Sequence, residues 1–147
     1  MHALYHLIYQ SHAKEPFNLP ELIALLTQSH KHNSNKNITG LLLYLPSGQI
    51  LQLLEGEESV VKNLYYEHIA LDPRHTACTV LNEGPWARRS FPGWCASFPL
   101  EYPGQECDLP GYVEPSKLRA MMSSLAPNRP GLVHLVMDFI AQYDDSF

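Results

Sequence analysis

Paired cysteines, long apolar runs and an excess of basic charge are all missing from this sequence, and each absence closes off a class of protein. Cys78, Cys95 and Cys107 are odd in number and show no Cys-x-x-Cys spacing, so reduced thiols are expected rather than a disulfide framework or a thiol-ligated zinc site. No apolar run approaches the roughly 20 residues of a membrane span, and the N-terminus has no basic stretch followed by an apolar run and a cleavage site. The expected location is therefore cytoplasmic. Ten basic residues against fifteen acidic ones give a net charge of −5, which argues against a nucleic-acid or anionic-membrane surface. Phosphate loops, dinucleotide fingerprints and the G-x-S-x-G elbow are absent too. His30 and His32 stand two apart, which points them to different sides of a helix, and no metal site is expected.

What is present is an ordinary globular composition, 45% hydrophobic and 17% charged over 147 residues, enough for one domain with a short appendage. The chain is organised around two leucine-rich runs, Ile38 to Tyr44 and Gln49 to Gly56, separated by Pro46-Ser47-Gly48. They read as a β-hairpin buried on both faces. Gln52 lies among the leucines of the second run, and a buried amide costs a few kcal/mol unless it finds partners. It either fills a backbone gap or faces a polar ligand.

Ala3 to Tyr9 reads as a first, central strand ending at the polar Gln10-Ser11-His12. On pattern alone, Tyr9 at its end is a core tyrosine bonded to a carbonyl sooner than a site residue. Asn18, Pro20 and Glu21 open a helix with a capping box, and Leu19, Leu22, Ile23 and Leu26 mark its inner face. The donors from Thr27 to Asn37 that follow read mostly as a solvated helix end and loop. A second helix after Gly56, with Val61, Leu64, Tyr65 and His68 on one face, stops at Asp72-Pro73. Ala77 to Asn82 and Trp94 to Phe98 supply a fourth and a fifth strand, with a basic turn from Gly84 to Arg89 between them.

The order βαββαββ predicts an α+β sandwich: a five-stranded mixed sheet with two helices on one face. Pro, Gly and acid from 99 to 115 suggest a linker. Two amphipathic helices then follow within 116–147, marked by Leu118, Met121, Met122 and Leu125 and by Leu132, Val136, Phe139 and Tyr143. This pair is expected to dock on the free face of the sheet or to pair with another subunit.

Leu7-Ile8-Tyr9-Gln10-Ser11, His32-Asn33, Ile38-Thr39-Gly40-Leu41-Leu42, Leu51-Gln52-Leu53-Leu54-Glu55-Gly56, Asp72-Pro73-Arg74-His75 and Arg88-Arg89-Ser90-Phe91-x-x-Trp94, in unbroken order from about residue 1 to 98, together resemble the BLUF family of blue-light sensors that use flavin. The resemblance implies a ferredoxin-like fold with FAD, FMN or riboflavin held without a covalent bond between the two helices of residues 1–98. It reverses the reading of Tyr9, whose place matches the family's photoactive electron donor. By the same match Gln52 is the switching amide and Asn33 the anchor on the pyrimidine edge, with His32 beside it. Asp72, Arg74 and His75 match the segment that helps to hold the flavin, and Trp94 and Ala96 lie on the strand that relays the signal. A carboxamide suits the relay because it both donates and accepts hydrogen bonds.

Two departures from the family pattern stand out. Ala96 occupies a position where methionine is common, and Leu64 to Ile69 has one residue more than usual, placing His68 where an arginine often stands. The expected function is therefore a non-enzymatic photoreceptor that signals through its C-terminal helices to an unidentified downstream protein or a homo-oligomer interface, without nucleic acid or membrane. The alternative is a binding module that kept the fold and lost efficient photochemistry. A hydrolase of the acylphosphatase kind on this fold needs an arginine cradle after the first strand, and Gln10-Ser11-His12-Ala13 offers none.

Overall fold

The structure, a computed structural model, describes residues 4–100 and 109–142. Ala3, Cys107 and Tyr143, named above, and residues 101–108 of the segment read as a linker lie outside the described residues. The elements are β1 (Leu4–Ala13), α1 (Leu19–Asn35), β2 (Thr39–Tyr44), β3 (Gln49–Glu57), α2 (Glu58–Leu64) continued by a π turn (Tyr65–Ile69), β4 (His75–Pro85), β5 (Trp94–Ser97), α3 (Pro115–Leu125) and α4 (Pro130–Ala141). The strands form one sheet in the order β4-β1-β3-β2-β5. All neighbours are antiparallel except β2 and β5, so the sheet is mixed and its architecture is the ferredoxin-like α+β sandwich expected.

Alternation along the strands divides two cores. Leu7, Leu42, Leu54 and Ala96 face α1 and α2. Ile8, Leu41, Leu43, Leu53 and Cys95 face the other way, against Leu118 and Met122 of α3 and Val136 and Phe139 of α4. The hairpin is buried on both sides as its sequence requires, with every residue of β2 buried. Of the two placements weighed for the C-terminal helices, the chain adopts docking on the free face of its own sheet. Among the described residues no helix is long and apolar enough to cross a membrane.

Several boundaries differ from the sequence-based expectation. β1 does not end at Tyr9 but runs to Ala13, because Gln10 and His12 find ladder partners on both β3 and β4, and Ser11 on β3; polar residues are tolerated where one face is wet. Tyr9 therefore sits mid-strand. α1 carries its capping box at Asn18 and Glu21 and extends to Asn35, so most of the expected loop is helical. β4 runs from His75 to Pro85, taking in Gly84 and Pro85 of the expected basic turn, and β5 stops at Ser97.

Candidate functional site

Tyr9 on β1 and Gln52 on β3 are direct antiparallel partners, and such pairs put two side chains on the same face within contact. The Gln52 amide Nε2 donates to the Tyr9 hydroxyl at 2.5 Å, and Trp94 Nε1 donates to Gln52 Oε1 at 2.9 Å. An indole N–H only donates, so Trp94 fixes the amide with its oxygen toward the indole and its nitrogen toward Tyr9. All three side chains are buried. Burial pushes the Tyr9 phenol well above its usual pKa, and the hydrogen bond from Gln52 opposes this. The phenol thus keeps its proton across ordinary pH.

Trp94 pairs with Gly40 on β2, and its buried indole lies in the core on the α1 side of the sheet. A Cβ on Gly40 would stand 1.9 Å from the Leu53 carbonyl oxygen, and its φ of 145° is one that side-chain-bearing residues avoid. Only glycine lets β2 and β3 close here. Tyr9, Gln52, Leu42 and Ala96 form one row across four strands. At the end of that row Ala96 N–H donates to Gly111 O and Ala96 O accepts from Val113 N, so the segment leading into α3 is hydrogen-bonded to Ala96.

Above this row, between α1 and the end of the π turn, is a cavity of about 540 Å³. Tyr9, His32, Asn33, Gln52, Asp72, Arg74 and His75 all line it, together with apolar walls from Leu25, Leu26, Leu42, Ile50, Leu64 and Ile69. Trp94 and Ala96 do not line it; Trp94 meets it through Gln52. Asn33, only 3% exposed, makes no side-chain hydrogen bond among the described residues, and the Tyr9 hydroxyl proton likewise has no acceptor there. The Asn33 amide opens onto the cavity and is not sealed off, so it is free to bond a ligand with complementary polar edges.

The rim is self-organised. Asp72 accepts from the Arg74 backbone at 2.9 Å and forms an ion pair with its guanidinium at 2.5 Å, which holds the Asp72 carboxyl below its usual range. His75 bonds Ser11 Oγ at 2.9 Å through Nδ1 and the Ile69 carbonyl through Nε2. Because that carbonyl only accepts, Nε2 carries a proton, and the ring pins the π turn to β1.

Sequence reasoning missed Ser11, Ser29, Gln28 and Tyr65, whose ring centroid lies 4.9 Å from that of Tyr9. Ser29 and Gln28 were legible only as members of a donor-rich stretch. The extra residue in the second helix is taken up by the π turn, so that His68 and Ile69 still line the cavity. Single π turns inside helices absorb insertions in this way and often sit at functional sites.

A family profile described as sensors of blue light using FAD matches residues 4–97. The chain is 37% identical over 86 residues to photoactivated adenylate cyclase subunit beta of Euglena gracilis, covering 58% of this chain and 10% of that protein. It is 36% identical over 69 residues to the blue light- and temperature-regulated antirepressor BluF of Escherichia coli, covering 47% of this chain and 17% of that one. The chain thus spans a small part of the curated relatives it matches. Among solved structures, the dark state of BlrB, a BLUF protein, is similar at 27% identity and a TM-score of 0.61, over 90% of this chain and 85% of that one. Klebsiella pneumoniae BlrP1 is similar at 28% identity and a TM-score of 0.70, over 94% of this chain and 34% of that one.

The residues present fit the flavin that the family description names: a slot with apolar walls, the unpartnered Asn33 amide and the free Tyr9 proton suit a flat ring with polar edges. The matched module is a photosensor and not a catalyst. Residues 4–97 cover well over half of the chain, and the chain accordingly belongs to the BLUF family, sensors of blue light that use FAD.

Proposed function

We propose that this protein is a blue-light receptor in which Tyr9 is the electron donor, Gln52 the switching amide and Trp94 the sensor of the amide's orientation. The observation that carries the reading is the buried Trp94–Gln52–Tyr9 chain. Bound between the helices, the flavin supplies absorption of blue light and a strongly oxidising excited state. Tyr9, with its proton available to a partner in the cavity, gives up an electron and proton and recovers them. Asn33 satisfies its amide on the ring's polar edge, with His32 beside it, while Asp72, Arg74 and His75 hold the open side of the slot.

Gln52 changes its hydrogen bonds without moving a charge. Turned over, its amide accepts from Tyr9 and presents an NH₂ to the Trp94 N–H; two donors then face each other and the indole bond is lost. That loss reaches β5 and the segment bonded to Ala96, which leads into α3. On this reading residues 1–98 form the sensing domain, 99–115 the connection and 116–147 the part that contacts a downstream protein or a second copy, in the cytoplasm.

The test is the absorption of the flavin-loaded protein under blue light. A reversible red shift is expected, abolished by Tyr9→Phe and by Gln52→Leu with flavin still bound. Absence of the shift in the unaltered protein removes the photoreceptor reading and leaves a flavin-binding module. A shift that persists in Tyr9→Phe removes Tyr9 from its role.

A further inference from the structure

We propose that Tyr9, Tyr65 and Tyr66 form a path along which an oxidising equivalent leaves the flavin site for the surface. This gives the protein a second light-driven activity, one-electron oxidation of a small enediol reductant such as ascorbate with the flavin as electron acceptor. The proposal rests on Tyr9 as the flavin's electron donor.

The three phenols lie in series. The Tyr9 and Tyr65 ring centroids are 4.9 Å apart at a tilt of 46°, and those of Tyr65 and Tyr66 are 4.9 Å apart at 85°, edge to face, both within the range of aromatic pairs in contact. Tyr9 and Tyr65 are each 3% exposed, whereas Tyr66 is 42% exposed. The path therefore begins in the protein interior and ends where a solute can touch it. Its last two members sit at the start of the π turn, in the stretch that departs from the family pattern.

The hydroxyls give the path a direction. A phenol that loses an electron becomes strongly acidic and is stabilised only if its proton has somewhere to go. Tyr65 has no protein acceptor for its hydroxyl proton among the described residues, so a hole is held less well there than on a phenol bonded to a carboxylate. Tyr66 donates to the Glu83 carboxylate, which also accepts from Tyr5 at 2.5 Å. These two bonds hold Glu83 below the usual carboxylate range, so it is ionised and ready to take a proton. Tyr66 is thus the terminus at which the hole is trapped.

The step balances as follows. One electron passes from Tyr9 to the light-excited flavin, Tyr65 returns one to Tyr9, and Tyr66 returns one to Tyr65 while its O–H bond breaks and the proton moves to Glu83. Ascorbate then gives Tyr66 a hydrogen atom, which restores the O–H bond. Glu83 releases its proton to water. Ascorbate is oxidised by one electron and the flavin is reduced by one.

The test illuminates the flavin-loaded full chain without oxygen, in two arms. In the first, a nitroso spin trap is added and its adduct is located by peptide mass spectrometry; in the second, ascorbate is added and bleaching of the flavin band is timed. An adduct at Tyr66 is expected, lost in Tyr65→Phe and in Glu83→Gln, with several-fold slower bleaching in both variants and the reversible red shift intact. Tyr65→Phe keeps the ring and its packing, and Glu83→Gln keeps all three phenols, so neither result reports a merely structural role. An adduct yield and bleaching rate equal to the unaltered protein in either variant overturns the path. A red shift with no adduct at Tyr66 overturns the path and keeps the photoreceptor reading. A Tyr65-dependent adduct with no red shift keeps the path and sinks the amide switch.

Discussion

At the scale of single residues, the orientation of the Gln52 amide in the dark is decided by Trp94. Replacing Trp94 by Phe keeps most of the buried ring and removes the N–H, so either orientation of the amide becomes tolerable. One buried hydrogen bond is worth about 1 kcal/mol net. The lit arrangement should gain about that much relative to the dark one, and recovery in the dark should slow by up to about fivefold. Flash-induced absorption followed to completion measures this, and faster recovery than in the unaltered protein counts against the assignment. None of this geometry was visible in the order of residues. Gln52 announced itself as a polar side chain among leucines, but the direction of Trp94 depends on its pairing with Gly40 across a parallel β2–β5 contact distant in sequence. Tyr9 on pattern alone looked like packing, and it became a site residue only through its resemblance to the family's motif.

At the scale of elements, what was legible was local. The capping box at Asn18 is written within four consecutive residues and formed as expected, and the hairpin's double burial follows from its leucines. Where an element's end depends on neighbours, the sequence was silent: β1 reaches Ala13 because β3 and β4 offer partners to polar residues. The π turn is of the same kind. Its far end is held by His75 on the Ile69 carbonyl and its near end by Val61 packed against the sheet, so one surplus residue between two fixed ends must bulge. It follows that removing exposed Glu67 should let the turn close into regular α-helix without moving His68 or Ile69 off the cavity wall. The variant should purify with flavin bound and show slower amide exchange across 65–69, since i→i−4 bonds replace the longer ones. Loss of flavin would mean that the turn itself, and not the side chains it carries, forms the wall.

At the scale of the whole molecule, the C-terminal helices are bolted to the sheet through a loop that the Gln52 strand also holds. Arg129, the residue that opens α4, donates to Ser90 Oγ at 3.1 Å and to the Arg88 carbonyl at 2.6 Å. Its guanidinium lies 3.9 Å from the centroid of the Trp86 ring, whose other partner is the stacked His6 at 3.8 Å. The same loop is pinned from the opposite side by Glu55, fully buried, which accepts from the backbone N–H of Ser90 at 2.6 Å and of Phe91 at 3.2 Å. Glu55 and Gln52 share β3, so a shift of that strand has a rigid way to reach α4 that bypasses Ala96, where the family's methionine is missing. Arg129→Ala removes two charge-assisted bonds and a cation–π contact, a loss of about 2 kcal/mol of stability at a half-buried site. The red shift should survive, because no atom of the cavity is touched. Light-induced change in amide exchange along α4 should shrink, because the helix loses its tether to the loop that β3 holds. An undiminished response in α4 would place the route through the segment bonded to Ala96 instead, and the clamp would then serve only to hold the two layers together.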